Sequence, residues 1–212
     1  MDETAARDAI CRFGRSMFER GLTPGGSGNI SYRLDDGNLL CTPTNASLGA
    51  LDPARLSLIA PGGRLLSGDA PTKEVPLHTA LYETRSRSRA VVHLHSVHSV
   101  AVSMLLDVDP ADVLPPLTPY YLMRVGRTVL LPYYAPGDPA VGDAIRGLAG
   151  RYSSVLLSNH GPVIAGDTLE DAVWAMEELE ATAQLHLITR AHNPRLLDAA
   201  EAARLRDGGK VE

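Results

Sequence analysis

The sequence predicts a three-layer α/β/α sandwich built around one mixed β-sheet. Short strands joined by tight turns fill much of the first third of the chain, whereas helices and buried strands alternate in the remainder. The length of 212 residues is enough for one sizeable hydrophobic core. Helices on both faces of a sheet bury the apolar side of each element, which favours the sandwich.

The first third of the chain is predicted to contain one helix and two pairs of strands. "RDAICRFGRSMFERG" places apolar residues at helical spacing and stops at Gly21, a residue suited to a helix C-terminus. "NISYRLDDGNLLCT" alternates apolar and polar residues before the turn "DDG", which predicts a β-hairpin. Two further strands are expected at 56–60 and 64–66, joined by "PGG".

Helices and strands alternate from residue 76 onward. Helices are expected at 76–84, 97–106, 138–151 and 167–190, and strands at "AVVHLH", "TVLLPYY" and "SSVLLSNHG". The last helix has a capping residue at Asp167 or Thr168. With no internal repeat or linker, we expect a single domain over residues 1–212, with a frayed tail after about residue 200.

Composition and charge exclude several classes of function. The chain is 44% hydrophobic and 21% charged, with a formal net charge of −5. That charge argues against nucleic-acid binding, and no apolar stretch is long enough to span a bilayer. The start "MDETAARDAICRF" lacks the apolar core of a signal peptide, so we expect a cytoplasmic protein. Cys11 and Cys41 are too few and too far apart for a disulfide framework, and we expect reduced packing residues.

Three histidines are candidates for a shared metal site. His93 and His95 are two apart in an apolar strand, so both side chains leave the same face and can converge on one ion. Taken alone, this pattern is more typical of hydrogen-bonded core histidines. His160 follows the strand "SVLLSN" and precedes Gly161, at a strand end where ligand-binding side chains are common. Together the three imidazoles form a set that leaves a coordination position open.

Other titratable residues near these strands have different expected places. His98 lies past the strand end, and we expect it in the first turn or on the surface of a helix. Glu74 lies just before the helix that Pro76 opens, because proline disfavours helical geometry at the preceding residue. Its carboxylate can point off the helix end toward a shared site, or stay exposed beside the helix start. His78 is expected to pack inward.

The glycine loop "TPGGSGNIS" is a candidate for binding an anion. It runs into a strand, whereas a dinucleotide-binding fingerprint must open a helix, so the loop is not such a fingerprint. Backbone N–H groups of such loops can surround an anion, and "TPTNAS" and "PTK" supply further donors. Taken singly, each loop is more typical of a plain turn.

In this order, the motifs "GGSGNIS", "TPTN", "PTKE", "HLH" and "NHG" resemble the class II aldolase and adducin head family, from the first helix to about Arg190. Within it, "GDAPTKEVPLH", "VVHLHSVHSVAVS" and "PPLTPYYLMRVGRTVLLPYYAPGD" are most similar to 3-oxo-tetronate 4-phosphate decarboxylases. The resemblance implies a mostly antiparallel sheet, and a homotetramer with sites near subunit boundaries.

The resemblance also implies roles for individual residues. It assigns one divalent metal per chain, most often Zn2+ with Mn2+ or Co2+ as alternatives, to His93, His95 and His160, with Glu74 as the acid/base carboxylate and a further metal ligand. It assigns the substrate phosphate to Gly28, Asn29, Thr44, Asn45, Thr72 and Lys73. Asn45 stands where glycine or serine is more usual, although asparagine tolerates the left-handed conformation. Lys73 stands where fuculose-phosphate aldolases typically have serine, which favours the decarboxylases.

The implied reaction is the metal-dependent decarboxylation of a small phosphorylated sugar acid, a 3-oxo-tetronate 4-phosphate, to dihydroxyacetone phosphate and CO2 through a metal-stabilised enediolate. Tyr120 or Tyr121, in some cases from a neighbouring subunit, is a candidate phenolic acid, with packing as the alternative role. The alternative enzyme is a sugar-phosphate aldolase or pentulose-phosphate 4-epimerase. An adducin-like interaction module needs no metal site, so the intact Glu74 and histidine set counts against it.

Overall fold

The computed structural model describes residues 1–208 and contains one eight-stranded sheet in the order β4-β3-β2-β1-β5-β8-β7-β6. The strands are β1 (Asn29–Arg33), β2 (Leu39–Cys41), β3 (Ser57–Ile59), β4 (Leu65–Ser67), β5 (Ala90–His93), β6 (Thr128–Leu131), β7 (Ser154–Leu157) and β8 (Gly161–Gly166). Every pairing is antiparallel except β6 with β7. The predicted mixed, mostly antiparallel sheet is therefore confirmed.

Helices cover both faces of this sheet. They are α1 (Glu3–Glu19), α2 (Val75–Thr84), α3 (Val97–Ser103), α4 (Pro119–Arg124), α5 (Ala140–Gly147), α6 (Leu169–Thr189) and α7 (Ala199–Gly208). One hydrophobic cluster joins the sheet to α1, α4 and α6, and a second joins it to α2 and α5. The three-layer sandwich follows from these two clusters on opposite faces.

The alternation of side chains along β5 separates the two clusters. Ala90 and Val92 pack into the cluster of α1, α4 and α6, whereas Val91 packs into the cluster of α2 and α5. Side chains of successive strand residues point to opposite faces of a sheet. His93, two residues after Val91, therefore faces the α2 side, where the candidate carboxylate Glu74 lies.

Strand β8 is the main element that the sequence did not predict. It lies between β5 and β7 in the middle of the sheet, although its sequence "GPVIAG" contains a proline and has a glycine at each end. Those residues are turn signals, and proline is rare in central strands because it lacks an N–H donor. Pro162 lacks an N–H donor but still joins the sheet through its carbonyl, which accepts a hydrogen bond from Leu94 N at 3.2 Å.

Two helices lie in segments where the sequence predicted none. Helix α4 lies in the Pro-rich stretch, and Thr118 caps it by accepting a hydrogen bond from Tyr121 N. The tail expected to fray after about residue 200 is helical as far as Gly208: Ala202 is buried, and Arg206 donates to Gly126 O and to Asp112. A buried side chain and a partly buried ion pair hold this helix, which an end-fraying rule based on position alone does not foresee.

None of the helices within residues 1–208 is long and apolar enough to cross a membrane.

Candidate metal and acid–base site

Three imidazoles meet at one end of the central strands. His93 is the last residue of β5, His95 follows it by two positions, and His160 immediately precedes β8. One nitrogen from each ring lies within 4.8 Å of the others, and the ring centroids are 4.8 to 5.0 Å apart. His93 and His160 are buried, and His95 is partly exposed. These residues form a group that could hold a metal ion.

The close approach of β5 and β8 brings His160 to the other two histidines. A Cβ atom on Gly161 would lie 2.2 Å from the carbonyl oxygen of Leu94, so only glycine allows the two backbones to come together here. Asn159 adopts a positive φ of 57°, and its N–H donates to Ser103 Oγ. The turn "SNHG" therefore aims the imidazole of His160 back toward the end of β5.

Hydrogen bonds orient the imidazoles for metal binding. His93 Nδ1 lies 2.9 Å from the carbonyl oxygen of Pro162, which requires a proton on Nδ1 and turns Nε2 toward the other two imidazoles. His93 Nε2 lies 3.1 Å from His95 Nε2. Both ring nitrogens of His160 are buried without a hydrogen-bond partner in the described chain, which is costly for polar atoms. A divalent metal would satisfy one of these nitrogens, and each of the three rings offers one ligand atom, so the residues present fit such an ion.

Burial keeps His95 and His160 neutral, the state in which an imidazole can bind a metal. Burial, and then the neighbouring His93 and His160, lower the pKa of His95 to about 4. Burial and His93 also lower the pKa of His160. At physiological pH these two rings therefore have lone pairs available to a metal.

Glu74 lies against the histidines from the neighbouring helix. It is the N-cap residue of α2, and its Oε2 is 3.3 Å from His93 Nε2 while Oε1 is 3.5 Å from His160 Nε2. Burial acts to raise the pKa of Glu74, but His93, the hydrogen bond from Asn29, and then His160 outweigh it and lower the pKa. The carboxylate is therefore ionised at neutral pH. Its predicted place before the helix agrees with the structure.

The residues assigned to the substrate phosphate lie on loops beside Glu74. Asn29 pairs with His93 across β1 and β5, and its Nδ2 donates to Glu74 Oε2 at 2.7 Å. Thr72 Oγ1 accepts from Glu74 N at 3.3 Å, and Thr72 N donates to Thr42 O, which joins two of the loops. The six residues are thus distributed over three neighbouring loops, at Gly28 and Asn29, Thr44 and Asn45, and Thr72 and Lys73.

The backbones of these loops have the conformations that glycine and asparagine permit. Gly28 has a φ of +82°, and a Cβ there would lie 3.0 Å from His93 O and from Thr23 Oγ1. Asn45 has a φ of 58°, which agrees with the expectation that it tolerates the left-handed region. The exposed Lys73 forms no ion pair with any residue in 1–208, so its charge is free to meet an anion.

The two candidate tyrosines have different surroundings. Tyr121 is fully buried in the core, and its hydroxyl donates to Thr128 Oγ1 at the start of β6. The histidines lie beyond the other end of the parallel strand β7, so Tyr121 does not reach them. We therefore assign Tyr121 the alternative role, packing in the core, in place of that of a phenolic acid. Tyr120 is 58% exposed and also lies away from the group within one chain, on the α4 side of the sheet.

His98 lies outside the metal-binding group, as expected. Glu180 accepts hydrogen bonds from His98 N, His98 Nδ1 and Ser99 N, and so caps the first turn of α3.

His78 packs inward as expected, but the buried polar residues that it contacts behind Glu74 were not predicted from the sequence. His78 is completely buried, with Nε2 2.5 Å from Asn29 Oδ1 and Nδ1 2.7 Å from Ser31 Oγ. Tyr82 lies 2.8 Å from the same hydroxyl. Two spacings could have found these residues: Asn29 and Ser31 share a strand face, and His78 and Tyr82 are four apart on a helix.

Comparisons with known proteins agree with the motifs. A model of the family described as Class II Aldolase and Adducin N-terminal domain matches residues 8–187. A 3-oxo-tetronate 4-phosphate decarboxylase of Escherichia coli K12 is 48% identical, over 96% of this chain and 96% of its own. The protein of the same name from Cupriavidus necator is 48% identical over 99% of this chain and 94% of its own.

A more distant relative and two solved structures are also similar to this chain. The L-fuculose phosphate aldolase of Escherichia coli K12 is 33% identical over 82% of this chain and 79% of its own. The crystal structure of YgbL from Escherichia coli, described as an aldolase, epimerase or decarboxylase, has a TM-score of 0.93 at 47% identity and covers 96% of this chain and 99% of that one. An L-fuculose 1-phosphate aldolase structure has a TM-score of 0.83, at 20% identity over 96% of this chain and 95% of that one, which indicates a common fold.

Proposed function

The chain belongs to the class II aldolase and adducin family, and from that membership we propose that it is a carboxy-lyase that converts a 3-oxo-tetronate 4-phosphate into dihydroxyacetone phosphate and CO2. The observation that carries this proposal is the 48% identity to 3-oxo-tetronate 4-phosphate decarboxylases over nearly the full length of both chains. The aldolase alternative fits less well, because the L-fuculose phosphate aldolase is 33% identical over a shorter part of the chain.

The reaction breaks the bond between C1 and C2 of the substrate. The electron pair of that bond passes to C2 and the neighbouring C3 carbonyl as C1 leaves as CO2, and a proton then adds at C2. A divalent ion held by His93, His95, His160 and Glu74 would supply positive charge toward the oxygen atoms on which electron density accumulates. Three imidazoles and one carboxylate favour Zn2+ as this ion, one per chain, with Mn2+ or Co2+ as alternatives.

Glu74 is the residue proposed to handle the proton that C2 receives. Its carboxylate is ionised in the free chain and is held by Asn29 at the edge of the imidazole group. It therefore takes up a proton before it gives one to C2, as a general acid must.

The three loops beside Glu74 are proposed to hold the substrate phosphate. They offer backbone N–H groups at Gly28 and Asn45, hydroxyls at Thr44 and Thr72, and the ammonium of Lys73. Because the net charge of the chain is −5, an anion has to be attracted by such local donors. Binding the phosphate on these loops would place the reacting carbons toward Glu74 and the histidines.

A cytoplasmic homotetramer with sites near its subunit boundaries also belongs to this proposal. The family resemblance motivates it, and the exposure of Tyr120 leaves that side chain available to a neighbouring subunit as a phenolic acid.

The test measures CO2 release and dihydroxyacetone phosphate together, with each C2 epimer of the substrate, before and after treatment with a chelator. We expect equal amounts of both products from the metal-loaded enzyme and loss of both after metal removal. L-fuculose 1-phosphate, which would be cleaved to an aldehyde without CO2, serves as the control substrate. Undiminished activity without metal, or no CO2 from either epimer, would contradict the proposal.

A further inference from the structure

A continuous chain of buried hydrogen bonds leads from Tyr82 to Glu74. Its links are Tyr82 to Ser31 Oγ at 2.8 Å, Ser31 Oγ to His78 Nδ1 at 2.7 Å, His78 Nε2 to Asn29 Oδ1 at 2.5 Å, and Asn29 Nδ2 to Glu74 Oε2 at 2.7 Å. All of the first four residues are buried. The proposed reaction assigns His78, Ser31 and Tyr82 no contact with the substrate or with a metal.

The chemistry of each group determines the direction of every bond. An ionised carboxylate only accepts hydrogen bonds, so Asn29 must turn its NH2 group toward Glu74 and its oxygen toward His78. An amide oxygen also only accepts, so His78 Nε2 must carry a proton. His78 is completely buried, and its two partners, an amide oxygen and a hydroxyl, carry no charge that would stabilise an imidazolium, so the ring is neutral and Nδ1 is bare.

The remaining links follow from the bare Nδ1. Ser31 must donate its only hydroxyl proton to that nitrogen, and Tyr82 in turn donates to Ser31, whose carbonyl oxygen is also within 3.0 Å. Every donor in the chain therefore points toward Glu74. A reversed amide would place the Asn29 oxygen against the carboxylate, which is unfavourable by electrostatic repulsion.

We propose that His78 is a positioning residue: held as the Nε2–H tautomer by Ser31, it fixes the Asn29 amide and thereby the orientation of the Glu74 carboxylate. The proposal rests on the function proposed above for the role of Glu74 in catalysis, but the hydrogen-bond arrangement itself does not depend on it. Because Asn29 Nδ2 has a second proton, the same amide can also contact the phosphate, which links the two parts of the site. Outer hydrogen-bond partners of this kind commonly change activity or metal affinity by about 10- to 100-fold.

The first test does not require activity. Protein labelled with 15N-histidine and freed of metal is compared with its His78→Gln variant by long-range 1H–15N NMR, which assigns the ring of His78. We expect a protonated Nε2 and a bare Nδ1 in the original protein. A proton on Nδ1, with or without one on Nε2, would overturn the proposal whether or not the enzyme releases CO2.

The second test uses conservative variants of the metal-loaded enzyme. The amide of glutamine reaches the place of Nε2 and can still donate to Asn29, whereas that of asparagine reaches only the place of Nδ1. We expect kcat to fall about 10- to 100-fold in His78→Asn and to recover most of that loss in His78→Gln, at equal thermal unfolding midpoints. Equal kcat in the two variants, or losses that follow their unfolding midpoints, would show a merely structural role and reject the assignment.

Discussion

At the scale of single residues, the fit to a metal depends on buried ring nitrogens of His160 that have no hydrogen-bond partner within residues 1–208. His93 contributes Nε2, because its Nδ1 donates to Pro162 O. Removing one imidazole leaves a site with too few protein ligands, since Glu74 is the only other ligand at the group among the described residues.

We therefore expect near-complete loss of metal after dialysis of His160→Ala or His93→Ala, measured as metal per chain. His98→Ala is the matched control, because Glu180 holds that imidazole outside the group, and it should keep about one ion per chain. Full occupancy in both site variants would contradict the assignment.

Lys73→Ala should weaken binding of the phosphorylated substrate. A charge-assisted hydrogen bond to phosphate is worth about 1.5 to 3 kcal/mol, which corresponds to an increase in KM of roughly 10- to 150-fold. Steady-state kinetics give KM, and competitive inhibition by inorganic phosphate should weaken in parallel. An unchanged KM would place the phosphate away from the exposed Lys73.

Glu74→Gln should retain the fold and the hydrogen bond with Asn29, yet lower kcat by about 100-fold or more, because an amide cannot transfer a proton as a carboxyl group does. The control is Glu83→Gln on the same helix, since Glu83 pairs with Arg146 at the surface. Turnover within a few-fold of the original enzyme in Glu74→Gln would remove Glu74 from proton transfer.

At the scale of elements, the junction of β5 and β8 depends on Gly161. A methyl group there would lie 2.2 Å from the Leu94 carbonyl oxygen, and the residue has a φ of +156°. Backbone atoms cannot give way as a flexible side chain does, so β8 would have to shift away from β5 and carry His160 with it.

We expect Gly161→Ala to lower the free energy of unfolding by about 1 to 3 kcal/mol and to weaken metal binding. Gly147→Ala in α5 is the matched control, because no atom lies within 4 Å of the added methyl group. Urea denaturation and metal titration check both variants, and the control should be neutral or slightly stabilised. Equal behaviour of the two variants would contradict the argument.

The same elements explain what the sequence could predict. Periodicity located α1, the first hairpin, α2 and α6, because apolar residues recur there at the spacing of each element. It did not locate β8, where glycine and proline look like a turn but neighbouring strands supply the context that makes them a strand. The order of the motifs predicted that the three histidines and Glu74 belong to one site. The hydrogen-bond chain from Tyr82 to Glu74 could not be predicted in this way, because its contacts join residues 45 to 51 positions apart and local sequence patterns do not encode them.

At the scale of the whole molecule, the buried neutral histidines make stability depend on pH. The pKa of His78 is lowered to about 3 and that of His95 to about 4, both first by burial, whereas an unfolded histidine titrates near 6.5. Below pH 6.5 the unfolded chain therefore binds more protons than the native chain, and the free energy of unfolding decreases as the pH is lowered. The lowered pKa of Glu74 acts in the same direction at still lower pH.

For metal-free protein, we expect the free energy of unfolding to be nearly constant between about pH 7 and pH 8 and to decline from about pH 6.5 toward pH 4. The decline attributable to His78 approaches about 1.4 kcal/mol per pH unit. Urea denaturation at several pH values measures it, and His78→Gln should reduce the slope by about one proton. A stability that stays level from pH 7.5 to 4.5 would contradict the predicted neutral state of these rings.

The strand order has a further consequence for how the protein folds. His93 meets Asn29 on one side and Val163 on the other, and its bond to Pro162 spans 69 positions of the chain. Such non-local pairings form late and slowly, because a long loop must close before the contacts compensate for the lost chain entropy. The metal-binding group is therefore absent from any partly folded intermediate that lacks β8, and acquisition of a tightly held ion reports completion of the sheet.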